Sequence, residues 1–248
     1  MDQYAVEAVN LSKAFGGVHA VDGVSIAVPP GQRRALIGPN GAGKTTLFNC
    51  LTGSMSPSAG RIMLFGKDVT SVAEHRRTAM GIGRTFQITN VFHDLTVVEN
   101  VLLALQGTSR RKWVFHRSMD FFRSNWERAG AELERVGLAG RASDTVGSLS
   151  YGERRQLELA LALASTPRVL LLDEPASGLS PGERKRIAEI LAELQREITI
   201  VFIEHDMSVV LGLADKVTVL HRGRAIMEGT PDEVKASREI QEIYLGNV

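Results

Sequence analysis

The sequence predicts an α/β fold, a largely parallel sheet built from crossover units with a block of helices inserted into it. Three observations carry that expectation. Short apolar runs alternate with helical spacing in both flanks of the chain, and parallel strands need such a returning helix between them. Residues 96–164 read as almost wholly helical. The 248 residues are 44% hydrophobic and 23% charged, enough to fill the core of one large domain and incompatible with intrinsic disorder.

Residues 5–11 and 20–28 alternate apolar and polar side chains, as strands with one solvated face do. Pro29, Pro30 and Gly31 make a turn. Residues 34–37 form a short apolar strand running straight into a glycine cluster, after which 44–51 take up helical spacing. A strand is expected at 61–65 and a helix at 71–79. Within the helical block the clear segments are 97–105, 118–136 and 151–164. The second half alternates strand 169–172, helix 181–195, strand 199–203 and helix 206–213. Strands 217–220 and 225–227 follow, then a closing helix over 231–245.

The apolar runs 159–164 and 198–203 are core-sized, short of the roughly 18 uncharged residues that a membrane span needs. Met1, Asp2, Gln3 and Tyr4 lack the basic and apolar regions of a signal peptide. A cytoplasmic chain with no span of its own is expected. A single cysteine, Cys50, excludes an intramolecular disulfide and a multi-cysteine zinc site, which suits a reducing compartment. Lys and Arg number 29 against 28 Asp and Glu, so no general electrostatic case exists for a nucleic-acid partner. Glycine is enriched, at 24 of 248 residues, and glycine gathers where backbone turns tightly or approaches a ligand.

The densest glycine cluster is Gly38-Pro39-Asn40-Gly41-Ala42-Gly43-Lys44-Thr45, followed by Thr46. It matches the P-loop pattern between a strand and a helix. Such glycines let successive backbone N–H groups turn inward around phosphate oxygens, and the helix N-terminus adds its positive end. Lys44 supplies a point charge to the β- and γ-phosphates, and Thr45 a hydroxyl ligand for Mg²⁺. The strand at 169–172 ends in Asp173 and Glu174. A P-loop ATPase needs a carboxylate at a strand's C-terminal end to hold Mg²⁺, a role that suits Asp173. Glu174, the next residue along the strand, is expected on the opposite side, where it can address an attacking water.

Leu149-Ser150-Tyr151-Gly152-Glu153 opens a helix. Ser150 is a plausible N-cap, and Glu153 completes a capping box. Ser150 and Gly152 at a helix N-terminus also make an anion site. The chain already owns a phosphate loop, so a second one suggests ATP sandwiched between two copies.

These motifs together resemble an ATP-binding subunit of an ABC transporter, over essentially the whole chain. The pentapeptide is similar to the family signature, with Tyr151 where glycine is commonest and Glu153 where glutamine is. The resemblance implies a P-loop NTPase fold of the ABC ATPase type: a mixed or parallel sheet core, an antiparallel β subdomain and an inserted helical subdomain. It divides the single domain into a catalytic core with the β subdomain, 1–87 and 166–248, and a helical subdomain with the signature, 88–165. It makes Phe15 the aromatic that stacks on adenine, Gln87 the Q-loop ligand that senses Mg²⁺ and the membrane partner, residues 177–180 the D-loop, and His205 the switch histidine. Lys44, Gln87, Glu174 and His205 become the catalytic set. ATP contacts are implied at Phe15, Gly38, Pro39, Asn40, Gly41, Ala42, Gly43, Lys44, Thr45 and Thr46. Ser150, Gly152 and Glu153 would touch the ATP of a partner subunit, and Thr45, Gln87 and Asp173 the Mg²⁺. Ser180 stands where many members carry aspartate, and Gln156 and Leu161 stand where arginine is frequent.

Residues 84–87, 91–92, 95–100 and 203–207 and the ending 229–231 and 244–246 resemble the importer branch for branched-chain amino acids. Urea, amide and aromatic-acid importers share much of this. The implied partners are integral membrane permease subunits, a second ATP-binding subunit (identical or a paralogue) and, indirectly, a periplasmic or extracellular solute-binding protein. The implied place is the inner face of the cell membrane. The competing function is a non-transport ABC ATPase acting as an ATP-driven switch on a soluble partner. One stretch, 109–128, interleaves Arg110, Arg111, Lys112, Arg117, Arg123 and Arg128 with Trp113, Phe115, Phe121, Phe122 and Trp126. It is read first as an amphipathic helical hairpin whose arginine stems cover apolar surface, and next as a contact for a membrane-embedded partner.

Overall fold

The computed structural model describes residues 4–84, 91–108 and 119–245. Among these residues the strands fall into two sheets. The first is antiparallel, in the order β2 (Val18–Val28), β1 (Val6–Phe15), β4 (Ala59–Leu64), β5 (Lys67–Asp68). The second runs β10 (Arg224–Gly229), β9 (Lys216–His221), β3 (Arg33–Ile37), β8 (Thr199–Ile203), β7 (Val169–Asp173), β6 (Ile82–Arg84). Its strands are parallel except β10, which returns antiparallel on β9. The expected α/β class, with a mixed sheet and an antiparallel companion, is what the chain forms.

The inner strands of the second sheet, β9, β3, β8 and β7, are buried on both faces, while β10 is largely exposed. Along β7, Val169 and Leu171 enter one core and Leu170 and Leu172 the other. Strands covered on both sides read as unbroken apolar runs rather than alternating ones, which is why 169–172 and 199–203 stood out. One core takes in the antiparallel sheet and Leu47, Phe48 and Leu51 of α1 (Lys44–Thr52). The other takes in α3 (Val97–Thr108), α4 (Met119–Arg135) and α5 (Tyr151–Ala164), with Ile187, Ile190 and Leu191 of α6 (Pro181–Glu193) and Val210 and Leu213 of α7 (Met207–Leu213). A two-turn helix, α2 (Glu74–Ala79), lies near β6.

Several helices start on the same device. Thr96, Ser150, Ser180 and Thr230 each cap a helix, and Glu99, Glu153, Glu183 and Glu233 bond back to the capping residue's N–H. The closing helix expected over 231–245 is two helices, α8 (Pro231–Ala236) and α9 (Arg238–Leu245). Ser237 between them adopts extended backbone (ψ 116°) while its carbonyl accepts the Gln241 N–H, so it ends one helix and starts the next. Strand β6 was not expected. With three residues it shows no period, and it exists through pairing, Ile82 lying against Val169. The helix expected at 71–79 begins only at Glu74. No described helix is long and apolar enough to cross a membrane.

Candidate functional site

Sheet register assembles the site. Leu36 of β3 pairs with Ile203 of β8, and Ile203 pairs with Asp173 of β7. Three adjacent parallel strands therefore end level, and the segments that leave them, 38–46, 174–180 and 204–206, converge at the carboxyl edge of the sheet. Open α/β sheets bind ligands at that edge.

From β3 the chain enters the glycine loop. Gly38 and Gly43 take φ 150° and 98°, and Cβ atoms there would strike the carbonyls of Leu220 and Ala20; only glycine lets this backbone pass so close. The loop is braced from outside, since Ala42 accepts the Gly223 N–H at 3.0 Å. Asn40, Gly41 and Thr45 are exposed, while Lys44 is buried and its Nζ donates to the Gly38 and Pro39 carbonyls at 2.7 and 3.0 Å. Burial pushes the Lys44 ammonium down, and the nearby Glu174 and Asp173 oppose that shift. Thr46 lies in the first turn of α1.

Asp173 is 1% exposed, and neither carboxylate oxygen has a hydrogen-bond partner. Burial, then the Glu174 charge, raises its pKa, with Arg84 and Lys44 pulling the other way. A buried carboxylate without a partner is expensive, and the charge it lacks is a cation's. Glu174 departs from the expected strand alternation. The strand ends at Asp173, and Glu174 turns into the left-handed region (φ 49°), its N–H bonded to the Ile203 carbonyl. Such strain in a non-glycine residue gathers at functional sites. The turn brings Glu174 Oε1 to 2.6 Å from His205 Nε2.

Glu204, unremarked in the sequence, holds this pair. It is 3% exposed; one oxygen accepts the Ala176 N–H at 2.9 Å and the other the His205 N–H at 3.0 Å. One carboxylate thus fixes the loop after Glu174 against the residue that Glu174 touches. The only hint was its place, between an apolar strand and His205. Tyr244 of α9 is a second unexpected neighbour. Burial pushes its phenol up to about 12, with the Gly38 backbone opposing.

The other expected residues lie apart. Phe15, at the β1–β2 turn, is 49% exposed with Lys13 Nζ 5.2 Å from its ring centre, so it is free to stack and is not a core residue. Ser150, Gly152 and Glu153 open α5 and do not join the P-loop cluster. Glu153 also pairs with Arg141 at 2.8 Å, and Ser150, Gly152, Glu153 and Glu183 border an open cleft of about 380 Å³ between α5 and α6. Gln87 lies outside the described residues, as does 109–118 of the basic and aromatic stretch. The strand leading toward Gln87 ends in Arg84, which donates to Asn49 and Thr52 of α1 at 2.9 and 3.2 Å and lies over the Phe48 ring.

The family model described as ABC transporter matches residues 21–177. The chain is 39% identical over 254 aligned positions to the high-affinity branched-chain amino acid transport ATP-binding protein LivG of Escherichia coli (strain K12), covering 99% of both chains. It is 38% identical over 253 positions to the like-named BraF of Pseudomonas aeruginosa, again covering 99% of both. Among solved structures, the ADP conformation of MJ1267, an ATP-binding cassette of an ABC transporter, superposes with TM-score 0.86 at 32% identity, covering 98% of each chain. CbiO1 of Clostridium perfringens, part of the transporter complex CbiONQ, superposes with TM-score 0.82 at 28% identity over 99% of this chain and 100% of that one.

Proposed function

The chain belongs to the ABC transporter family, and on that premise we propose that it is the ATP-hydrolysing subunit of an importer for branched-chain amino acids or a related small polar solute. The end-to-end likeness to LivG and BraF supports the solute class. Its partners on this reading are membrane permease subunits, fed by a solute-binding protein, and a second ATP-binding subunit. With no described helix able to span a bilayer, the subunit sits peripherally on the inner membrane face and borrows its pore. The core, 1–87 with 166–248, performs the chemistry, and the helical segment 88–165 with Gln87 passes the motion on.

One observation carries the catalytic reading: a buried, unpaired Asp173 carboxylate beside the Glu174–His205 contact and the Lys44 cradle. The backbone of 38–46 and the α1 N-terminus hold the phosphates of ATP, and Lys44 exchanges two carbonyls for phosphate oxygens. Asp173, Thr45 and Gln87 would hold Mg²⁺, whose charge neutralises the β- and γ-phosphate oxygens. Glu174 orients or deprotonates the attacking water. His205 fixes Glu174 and reaches toward the γ-phosphate. Phosphoryl transfer asks for positioning and electrostatics rather than covalent help. Two copies close head to tail, so that Ser150, Gly152 and Glu153 of one face the ATP in the other's loop. Bound γ-phosphate favours the closed dimer, and hydrolysis releases it.

Glu174→Gln is expected to keep ATP binding, to lower turnover by roughly 10²-fold or more, and to accumulate an ATP-bound dimer on gel filtration. Undiminished steady-state turnover would show that Glu174 is not the base. Lys44→Ala should abolish ATP binding, and retained affinity would remove the P-loop from the mechanism.

A further inference from the structure

The signature turn and the loop that follows Glu174 are fastened together at two points, by Tyr151, which stands where the family signature most often has glycine, and by Glu183. Tyr151, half-exposed, lays its ring against Gly178: a Cβ there would lie 3.2 Å from the ring. Its hydroxyl reaches the Ser177 carbonyl at 3.4 Å, and the Arg155 guanidinium sits 5.5 Å from the ring centre. From the other side Glu183 spans two helix starts. One oxygen, Oε2, accepts from the Ser180 N–H at 2.9 Å and from its hydroxyl at 2.6 Å. The other, Oε1, crowds the Gly152 backbone so closely that any Cβ there would collide with it.

We infer that Tyr151 and Glu183 are positioning residues that make Gly152 and the 174–180 loop move as one unit. The inference rests on the reading that Ser150 and Gly152 face a partner's ATP. It adds a link within one chain between the half-site it lends, at Gly152, and the site it owns, whose base Glu174 begins the tied loop. A phosphate arriving on Gly152 then shifts the loop carrying Glu174, so the two ATP sites of a dimer are coupled. The ring of Tyr151 takes up the space that a glycine signature leaves open.

Steady-state ATPase of the full chain is measured against ATP concentration for the wild type, Tyr151→Ala and Tyr151→Phe, alongside ATP-driven dimerisation of Glu174→Gln. The wild type should give a sigmoidal curve. Tyr151→Ala should give a hyperbolic one, with kcat lower by roughly three- to tenfold, as the loss of a few weak contacts predicts, and an unchanged melting temperature. Tyr151→Phe keeps the ring over Gly178 and should stay sigmoidal. Mere structural damage would lower the curve or the melting temperature without altering the curve's shape. Glu183→Ala, which breaks the second contact, gives an independent variant and should flatten the curve likewise. A hyperbolic wild type, or sigmoidal curves in both Tyr151→Ala and Glu183→Ala, overturns the inference. Failure of Glu174→Gln to dimerise with ATP removes the sandwich and this inference together. A dimer in which both Tyr151→Ala and Glu183→Ala keep the wild-type sigmoidal kinetics removes the inference alone.

Discussion

At Asp173 burial holds the carboxyl above its ordinary range, 3.8, and that has a consequence for stability. The folded chain keeps this proton more tightly than the unfolded chain does. The stability belonging to the protonated form is therefore complete below the unfolded value and is lost as pH rises through the raised folded value. In the absence of ATP and Mg²⁺, Asp173→Asn should accordingly melt higher at pH 8. An orphaned buried polar group costs about 1–3 kcal/mol, or roughly 3–9 °C at this size. The gap should close toward pH 4, and thermal melts across pH check it; a gap independent of pH would mean that charge is not the cause. The same residue shows how site strain is tolerated. Asp173 and Glu174 are both unfavourable alone, and Glu204 over-determines their loop with bonds to the Ala176 and His205 N–H groups.

Helix α1 leaves the glycine loop at one end and is held at the other. Arg77, 1% exposed, does this: its guanidinium donates to the Cys50 and Leu51 carbonyls at 2.8 Å each, and to Val72 and Thr70. A cation at a helix C-terminus satisfies orphan carbonyls and opposes the helix dipole. It is enclosed against Gly53, where a Cβ would lie 2.6 Å from Arg77 Nε. Arg77→Met leaves the Leu51, Thr70 and Val72 carbonyls short of a donor and should lower stability by about 3 kcal/mol. Urea unfolding checks that, with ATP affinity of the folded variant expected near wild type. A loss under about 0.5 kcal/mol, the range of ordinary surface substitutions, would leave Arg77 without this role. Arg84 secures the same helix from β6, so the strand that leads toward Gln87 and the helix that follows the P-loop are one rigid pair.

The molecule as a whole is a sheet with a hydrophobic core on each face. The phosphate loop stands above the edge where three strands end level, while the signature opens a helix elsewhere. On the proposed reading, a complete ATP site therefore needs a second ATP-binding subunit. Exposed Phe92, Leu103 and Trp126 lie in the helical part, which on the proposed reading faces the membrane partners. Purified from membranes in mild detergent, the tagged chain should bring multi-span proteins with it. Recovery with soluble partners alone would favour an ATP-driven switch working away from the membrane.

Much was legible in the sequence because it was local. The P-loop spacing, the Ser150–Glu153 capping box, the unbroken apolar runs of β7 and β8 and the paired acids each depend on neighbours a few residues apart, and periodicity and side-chain chemistry act at that range. The sequence alone therefore determined the α/β class, the phosphate loop with Lys44, and the acid pair Asp173 and Glu174, while His205 was picked out by the family resemblance. Tertiary structure decided what required distant segments to meet: the three-residue β6, the left-handed turn that puts Glu174 on His205, the buried Glu204 between two loops, and Tyr151 and Glu183 across the signature turn. The Glu174–His205 contact joins residues 31 positions apart and the pairing of Ile82 with Val169 spans far more of the chain, and no local pattern encodes which strand ends will lie level. That alignment follows from sheet register, which the packing of both faces fixes all at once.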